Sequence, residues 1–324
     1  MKAFMWERYG PPEALRLAEV EKPVPGPDEV LVKVLGVSVN PADWHSMRGK
    51  PLFSRFTLGL LRPKHRILGV DVAGQVETVG GGVTHFKPGD EVYGNLLDHG
   101  YGAFAEYVAA PVVALGLKPA NLSFEEAAAV PMAAPTALQG LRHHGEIRAG
   151  QTVLVNGASG GVGHFAVQIA KALGGQVTAL TRTAYHEFVR SIGADHVVDY
   201  TSGDITRADG RYDLIVDVAG NLPMGALQQA LTPTGRLVLV GAGKGHFGPL
   251  VRMLGGMARA RRAGSRFRAF IASVTKEDLL TLKDLVEAGK VTPVIDSTYP
   301  LAQTAEAIRR MESTDARGKI VITI

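Results

Sequence analysis

The sequence predicts an α/β protein: a doubly wound parallel sheet accompanied by a smaller β-rich domain. Three observations predict it. Residues 1–122 are dense in Gly and Pro, with short β-like runs between them. From residue 123 strand-like and helix-like runs alternate at the spacing that parallel βαβ units require. Between them, Val153-Leu154-Val155-Asn156-Gly157-Ala158-Ser159-Gly160-Gly161-Val162-Gly163 carries an apolar β-branched run through a glycine turn into a helical pattern.

In the first part, Glu29 to Val34 alternates polar and apolar residues, and Val70 to Val79 and Phe104 to Val108 also read as strands. Pro25-Gly26 and Pro88-Gly89 punctuate them. Ser123 stands as an N-cap, with Glu125 and Glu126 in the first turn of an alanine-rich helix. Strands then follow at Thr152–Val155, Val177–Leu180, His196–Val198, Leu214–Val218 and Leu237–Val240. The helices between them are set by Ala166, Ile169, Ala170 and Leu173, then Glu187–Ile192, then Met224–Leu231. After residue 268 come helices near Glu277–Glu287 and Ala302–Glu312 and a closing strand, Lys319–Ile324. The expected domains are therefore 1–122, 123–268 and 269–324, the last returning to the first.

The glycine segment reads as a dinucleotide site of the form Ala158-x-Gly160-x-x-Gly163. Glycines let the backbone turn sharply and approach a pyrophosphate, and the helix N-terminus attracts its charge. Ala158 departs from the usual first glycine, and Gly157 is placed to supply the tight turn. The second strand ends Ala179-Leu180-Thr181-Arg182-Thr183 without the carboxylate that binds a ribose 2′-OH in NAD sites. Guanidinium and hydroxyl groups suit a 2′-phosphate, so the expected cofactor is NADP(H). The alternative is that Arg182 only covers the sheet edge.

Composition narrows the chemistry. The 324 residues are 46% hydrophobic and 20% charged, with a net charge of +4 and no cysteine. Lacking cysteine, the chain has no disulfides, thiolate metal ligands, iron–sulfur clusters or cysteine nucleophiles. No apolar run approaches the ~18 residues of a membrane span, and the N-terminal residues lack a signal-peptide pattern, so a cytoplasmic location is expected. Between Asp217 and Glu277 no carboxylate occurs, while Arg236, Lys244, Arg252, Arg259, Arg261, Arg262, Arg266, Arg268 and Lys276 do. This window reads as a solvated basic face, an anion site or a partner surface. In it Leu250, Met253, Leu254 and Met257 share one helical face, although Gly255-Gly256 weakens a helix. Aromatic residues for base stacking are sparse there, so no nucleic-acid partner is expected.

Asn40-Pro41-Ala42-Asp43, Gly69-Val70-Asp71-Val72-Ala73-Gly74, Pro88-Gly89-Asp90-Glu91-Val92-Tyr93-Gly94 and Gly102-Ala103-Phe104-Ala105-Glu106-Tyr107 precede the glycine segment. Gly193-Ala194-Asp195, Asp199-Tyr200 and Arg317-Gly318-Lys319-Ile320-Val321 follow it. In this order the motifs resemble the zinc-independent quinone oxidoreductase branch of the medium-chain dehydrogenase/reductase superfamily, over nearly the whole chain. The resemblance implies a GroES-like β-barrel catalytic domain built from both chain ends, a central Rossmann domain, a cleft between them, and a homodimer. Where the zinc branch carries Cys, His and Glu ligands, this chain has Asn40, Val70 and Asp71, and the four-cysteine lobe is absent. No metal is expected.

The expected reaction is hydride transfer from NADPH to a quinone or an α,β-unsaturated carbonyl, with hydrogen-bond donors in place of a Lewis acid. The candidate catalytic residues are Asn40, Asp43 and Tyr93. Asn40 is expected to position the substrate or stabilise its oxyanion, or else to cap the turn before Pro41. Asp43, with Val70 where its histidine partner would stand, is expected to bond Arg48 or a backbone group. Tyr93 and His45 are the candidate proton donors. By resemblance Ser159, Gly160, Gly161 and Val162 meet the pyrophosphate, Thr181 and Arg182 the 2′-phosphate, and Tyr200 the adenine–ribose end. Val218, Ala219, Gly241 and Ala242 are expected at the nicotinamide half, and Lys319 at the phosphate end or the domain seam. Leu52 and Phe53 occupy the region where the family often has a Tyr, followed by a stretch rich in Arg, Lys and Leu from Ser54 to Arg66. That leaves room for a bulkier or anionic acceptor. The alternative function is an NADPH-binding sensor with little catalytic activity.

Overall fold

The computed structural model describes residues 1–201, 211–240, 266–313 and 315–324. They form two compact units, one of residues 1–132, 274–287 and 293–324, the other of 133–273 and 288–292. Gly241 and Ala242 lie outside the described residues, as does most of the basic window.

In the first unit β1 (Lys2–Trp6) and β2 (Leu15–Glu19) form an antiparallel pair. The main sheet runs β14 (Ile295–Pro300), β15 (Lys319–Thr323), β3 (Glu29–Ser38), β4 (Asp71–Val79), β5 (Glu91–Asn95) and β7 (Leu115–Leu117), with β6 (Tyr107–Pro111) also on β3. Period-2 alternation places Val30, Val32 and Val34 of β3 in the core and leaves Lys33 exposed. Phe104 falls outside the strand expected there. Its amide donates to the Leu68 carbonyl and its own carbonyl accepts from the Phe4 amide, which seats the ring in the core.

The closing strand β15 pairs antiparallel with β3, Val321 opposite Ser38, so the chain ends in the unit where it began. Helix α1 (Pro41–Arg48) leaves the end of β3, and α2 (Arg55–Leu58) follows a short turn. Helix α3 (Phe124–Ala128) starts at the expected Ser123, whose Oγ accepts from the Glu126 amide while the Glu126 carboxylate accepts from the Ser123 amide. It packs so closely on β3 that a Cβ at Gly36 would stand 2.8 Å from the Phe124 carbonyl oxygen. That packing moves the unit boundary from the expected 122 to 132.

The second unit holds α4 (Ala133–Leu138) and a six-stranded parallel sheet. Its strands are β8 (Thr152–Asn156), β9 (Gln176–Thr181), β10 (His196–Asp199), β11 (Tyr212–Asp217), β12 (Leu231–Leu239) and β13 (Arg266–Ala269). Their spatial order is β10-β9-β8-β11-β12-β13, all parallel. Helices α5 (Gly163–Ala172), α6 (His186–Ser191) and α7 (Met224–Gln229) alternate with these strands. Phe165, Ala166, Val167, Ile169 and Ala170 of α5 are all fully buried, more than the single face the spacing predicts. Gln168 explains part of this: its side chain bonds both the amide and the carbonyl of Thr292, tying the returning segment 288–292 to the helix.

Two helices of the first unit complete the chain, α8 (Lys276–Glu287) and α9 (Thr304–Glu312). Of the basic window, the described residues 266–269 form the edge strand β13 rather than helix. Arg236 is buried in a bidentate pair with Glu146, at 2.6 and 2.7 Å, and so is no part of a solvated face. Among the described residues no helix is long and apolar enough to cross a membrane.

Candidate active site

The first unit buries a polar cluster where β3, β4, β5 and β15 meet. The β15–β3 pairing and the bond from the Val39 amide to the Ile320 carbonyl set Lys319 beside Asn40. Lys319 Nζ donates to Asn40 Oδ1 at 2.5 Å and to the Val39 carbonyl at 3.3 Å, and lies 3.8 Å from Asp71 Oδ2. Asn40 Nδ2 donates to Asp71 Oδ2 at 2.8 Å and to the Ser38 carbonyl at 3.1 Å. Asp71 also accepts from Ser38 Oγ and Asn95 Nδ2, each at 2.7 Å. Ser38, Asn40, Asp71, Asn95 and Lys319 are all buried. Burial pushes the Asp71 carboxyl pKa up and the Lys319 ammonium pKa down, and the attraction between the two opposes both shifts.

This network changes the expected roles. Asn40 is the N-cap residue of α1, its backbone amide donating to the Asp43 carboxylate three residues on. Both of its side-chain N–H groups are engaged, on Ser38 and Asp71, and its side-chain oxygen accepts from Lys319. No donor of this side chain is left for a substrate oxygen. Lys319, expected at the phosphate end or the domain seam, is the buried cation of this cluster.

Asp43 bonds a backbone group, as one of its two expected alternatives had it: its Oδ2 accepts from the Asn40 amide at 2.8 Å. Arg48, the other alternative, pairs with Glu312 of α9 at 2.8 and 3.1 Å. Asp43 Oδ1 is buried with no hydrogen-bond partner among the described residues. Burial raises its carboxyl to about 7; the Asn40 amide pulls it down, and the neighbouring Asp71 pushes it further up.

Tyr93 stands apart from this cluster. Its ring is buried, its hydroxyl donates to the Leu279 carbonyl of α8 at 2.9 Å, and burial pushes its pKa up. Those features describe a tyrosine packed in the unit with its hydroxyl proton engaged on a backbone carbonyl. The other candidate, His45, stacks on Trp44 with ring centroids 3.8 Å apart.

In the second unit the glycine turn follows β8 at the sheet's switch point, where the strand order reverses between β8 and β11. Gly157 takes φ +82°, supplying the turn that Ala158 cannot, and a Cβ on it would stand 2.9 Å from that of Ala219. A Cβ on Gly163 would sit 2.0 Å from the Gly157 carbonyl oxygen, so turn and helix pack backbone to backbone. At Gly160 the nearest atom to an added Cβ is 3.5 Å away, which leaves open space over the turn. The Gly161 and Val162 amides, just ahead of α5, pair with no acceptor among the described residues. Such a cradle fits a pyrophosphate.

Thr181 ends β9 beside it, Thr181 Oγ1 donating to Ser159 Oγ at 2.8 Å. Arg182 is half-buried, its guanidinium 5.3 Å over the Tyr185 ring. Asp199 closes the next strand opposite Thr181. Its carboxylate accepts from the amides and hydroxyls of both Thr183 and Thr201, and these bonds hold its pKa low. The local sequence signal for this latch is Thr201, two residues after Asp199; Thr183 lies sixteen residues before it. Tyr200 next to it is half-buried against the sheet core. At the end of β11, Val218 is half-buried and Ala219 exposed, and their amides donate to the Asn156 carbonyl. Neither is the simply buried strand residue that pattern alone allowed.

Two family models match the chain, an alcohol dehydrogenase GroES-like domain over residues 26–120 and a zinc-binding dehydrogenase domain over 192–322. A chloroplast envelope quinone oxidoreductase homolog of Arabidopsis thaliana is 34% identical over 99% of this chain and 98% of its own. An NADPH-dependent alkenal/one oxidoreductase of the same plant is 33% identical over 99% of this chain and 79% of its own. The chain belongs to the quinone oxidoreductase branch of the medium-chain dehydrogenase/reductase superfamily. Among solved structures, the quinone oxidoreductase from Coxiella burnetii superposes with a TM-score of 0.88 at 29% identity, covering 100% of this chain and 99% of that one. The fold is thus that of its family: a GroES-like domain with a parallel-sheet Rossmann domain.

The superfamily also includes zinc enzymes. Val70 offers no ligand atom, Asn40 is saturated from both ends of its amide, and an ammonium group sits 3.8 Å from Asp71. These residues do not fit a zinc site, which needs three donors around an open position. Among the described residues no group of three or more His, Asp or Glu side chains converges as metal ligands would.

Proposed function

We propose that this protein is a zinc-free reductase using NADPH to reduce quinones or α,β-unsaturated carbonyls. The observation that carries the reading is the Lys319–Asn40–Asp71 cluster. A fixed ammonium beside a carboxylate occupies the place where the zinc branch puts its metal, so chemistry that needs a Lewis acid is disfavoured. Electron-poor acceptors need less activation than saturated ketones. Names carried by relatives, quinone oxidoreductase and alkenal/one oxidoreductase, support the same acceptor class.

The amides of Gly161 and Val162, with Ser159 and Gly160, would hold the pyrophosphate. Thr181 and Arg182 would hold the 2′-phosphate, Tyr200 the adenine–ribose end, and Val218 with Ala219 the nicotinamide half. Asp199 keeps the Thr181–Thr183 turn in place through its bonds to Thr183. Its charge is met by protein donors, which leaves Arg182 to set the sign of the site. When bound, the cofactor supplies a hydride from its nicotinamide C4. Asn40 and Lys319 act as positioning residues that fix the backbone between β3 and α1. A chain without cysteine suits a reducing compartment such as the cytoplasm. The family's usual homodimer is the assembly expected by light scattering.

Steady-state oxidation of NADPH and NADH against a panel of quinones and enones tests this reading, with and without a strong zinc chelator. The expected result is chelator-insensitive turnover that prefers NADPH. Chelator-sensitive alcohol oxidation would overturn it, and tight NADPH binding without turnover of any acceptor would favour the sensor reading instead.

A further inference from the structure

Between Asp43 and Asp71 the chain has no carboxylate and six cations, Arg48, Lys50, Arg55, Arg62, Lys64 and Arg66. The same stretch exposes apolar side chains. Of the eleven large hydrophobic residues exposed among the described residues, five lie here: Leu52, Phe53, Phe56, Leu60 and Leu61, from 61% to 91% exposed. Contiguous exposure of this kind marks an interaction surface, whereas scattered single residues do not.

The segment is held in this form by its own anchors. Leu58 enters the core, and Tyr9 Oη donates to the Gly59 carbonyl at 2.5 Å. Arg55 lies 4.3 Å over the Tyr9 ring and donates to the Gly49 carbonyl. Gly59, at φ +116°, makes a turn so tight that a Cβ would stand 2.1 Å from the Arg62 carbonyl oxygen. Beyond that turn Leu60 and Leu61 face solvent. Beside the segment lies a basic hollow of about 540 Å³, lined by Trp6, Glu7, Arg8, Arg62, Lys64 and Arg66 among others. Its one acid, Glu7, is already paired with Arg16 and Arg66. Arg8, Arg62 and Lys64 have no carboxylate partner among the described residues.

We propose that this surface docks the protein on an anionic phospholipid bilayer, with Phe56, Leu60 and Leu61 entering the interface and the hollow receiving headgroup phosphates. Exposed apolar side chains beside cations, three of them without a carboxylate partner among the described residues, match the two layers such a surface offers. A second copy of this face would set like charges against each other. The basic segment 241–265, equally free of carboxylates, is a poor match for the same reason.

Sedimentation of the full-length protein with vesicles tests the proposal. One set is phosphatidylcholine with about a third phosphatidylserine, the other phosphatidylcholine alone. Binding is expected to the anionic set, at least ~10-fold weaker to the neutral set, and reversed near 0.5 M salt. Leu60→Ser/Leu61→Ser and Arg62→Glu/Lys64→Glu alter only exposed side chains. Each is expected to keep the wild-type melting temperature and to weaken vesicle binding ~10-fold or more. Lack of binding to either set overturns the proposal, as does binding that both variants retain. Capture by immobilised polyglutamate, without vesicle binding, overturns it in favour of an acidic protein partner.

Discussion

Lys319 and Asn40 stand 279 positions apart, yet Lys319 Nζ donates to Asn40 Oδ1 at 2.5 Å inside the first unit. The bond orients the Asn40 amide: with its oxygen on the ammonium, its nitrogen must face Asp71. Lys319→Met leaves that carboxylate buried without a cation. The expected cost is ~3–5 kcal/mol of stability, read by urea denaturation. In an Asp71→Asn background the same change should cost much less, and equal losses in both backgrounds would refute the coupling.

Asp43 predicts a pH dependence with a definite sign. Its carboxyl titrates near 7 when folded, against an ordinary value near 3.8. Between those values the folded state holds a proton that the unfolded state has released, so stability falls as pH rises through this window. Below it the group is neutral in both states and stability no longer changes with pH on its account. Denaturation midpoints from pH 4 to 7 should decline in the wild type, and Asp43→Asn should flatten that decline.

Arg182→Ala tests nucleotide preference. Removing one charge-assisted contact of ~1.5–3 kcal/mol should raise the KM for NADPH ~10- to 100-fold and leave that for NADH nearly unchanged. Parallel losses with both nucleotides would assign Arg182 to packing on Tyr185.

Two glycines of the turn separate cofactor space from packing. Gly163→Ala sets a Cβ 2.0 Å from the Gly157 carbonyl oxygen and should lower the melting temperature by several degrees. Gly160→Ala meets nothing closer than 3.5 Å, so stability should hold while NADPH affinity drops. Calorimetry and cofactor titration on both variants read the two effects.

Tyr93→Phe removes the donor to the Leu279 carbonyl. We expect a loss of ~1–3 kcal/mol in stability with an unchanged kcat. A large fall in kcat with stability intact would restore Tyr93 as a proton donor.

Local pattern made much of this protein legible. The alternation in β3, the capping box at Ser123, the helix of α5 and the positive-φ turn at Gly157 each depend on neighbours within a few residues, so the sequence states them directly. The strand expected from Phe104 was displaced because Phe104 makes its backbone bonds to Phe4 and Leu68, at distant positions. The Asp199 latch is not legible in the sequence for the same reason: it forms only when β10 lies beside β9.

The sequence by itself determined the two-part organisation, the glycine cradle and the absence of thiolate or imidazole ligands at residues 40, 70 and 71. These follow from residue chemistry and short-range periodicity. Tertiary structure alone decided which partners Asn40, Tyr93 and Lys319 hold. A buried polar group is defined by the partners that replace water around it, and for Asn40 the return of β15 against β3 supplies one of them from the far end of the chain.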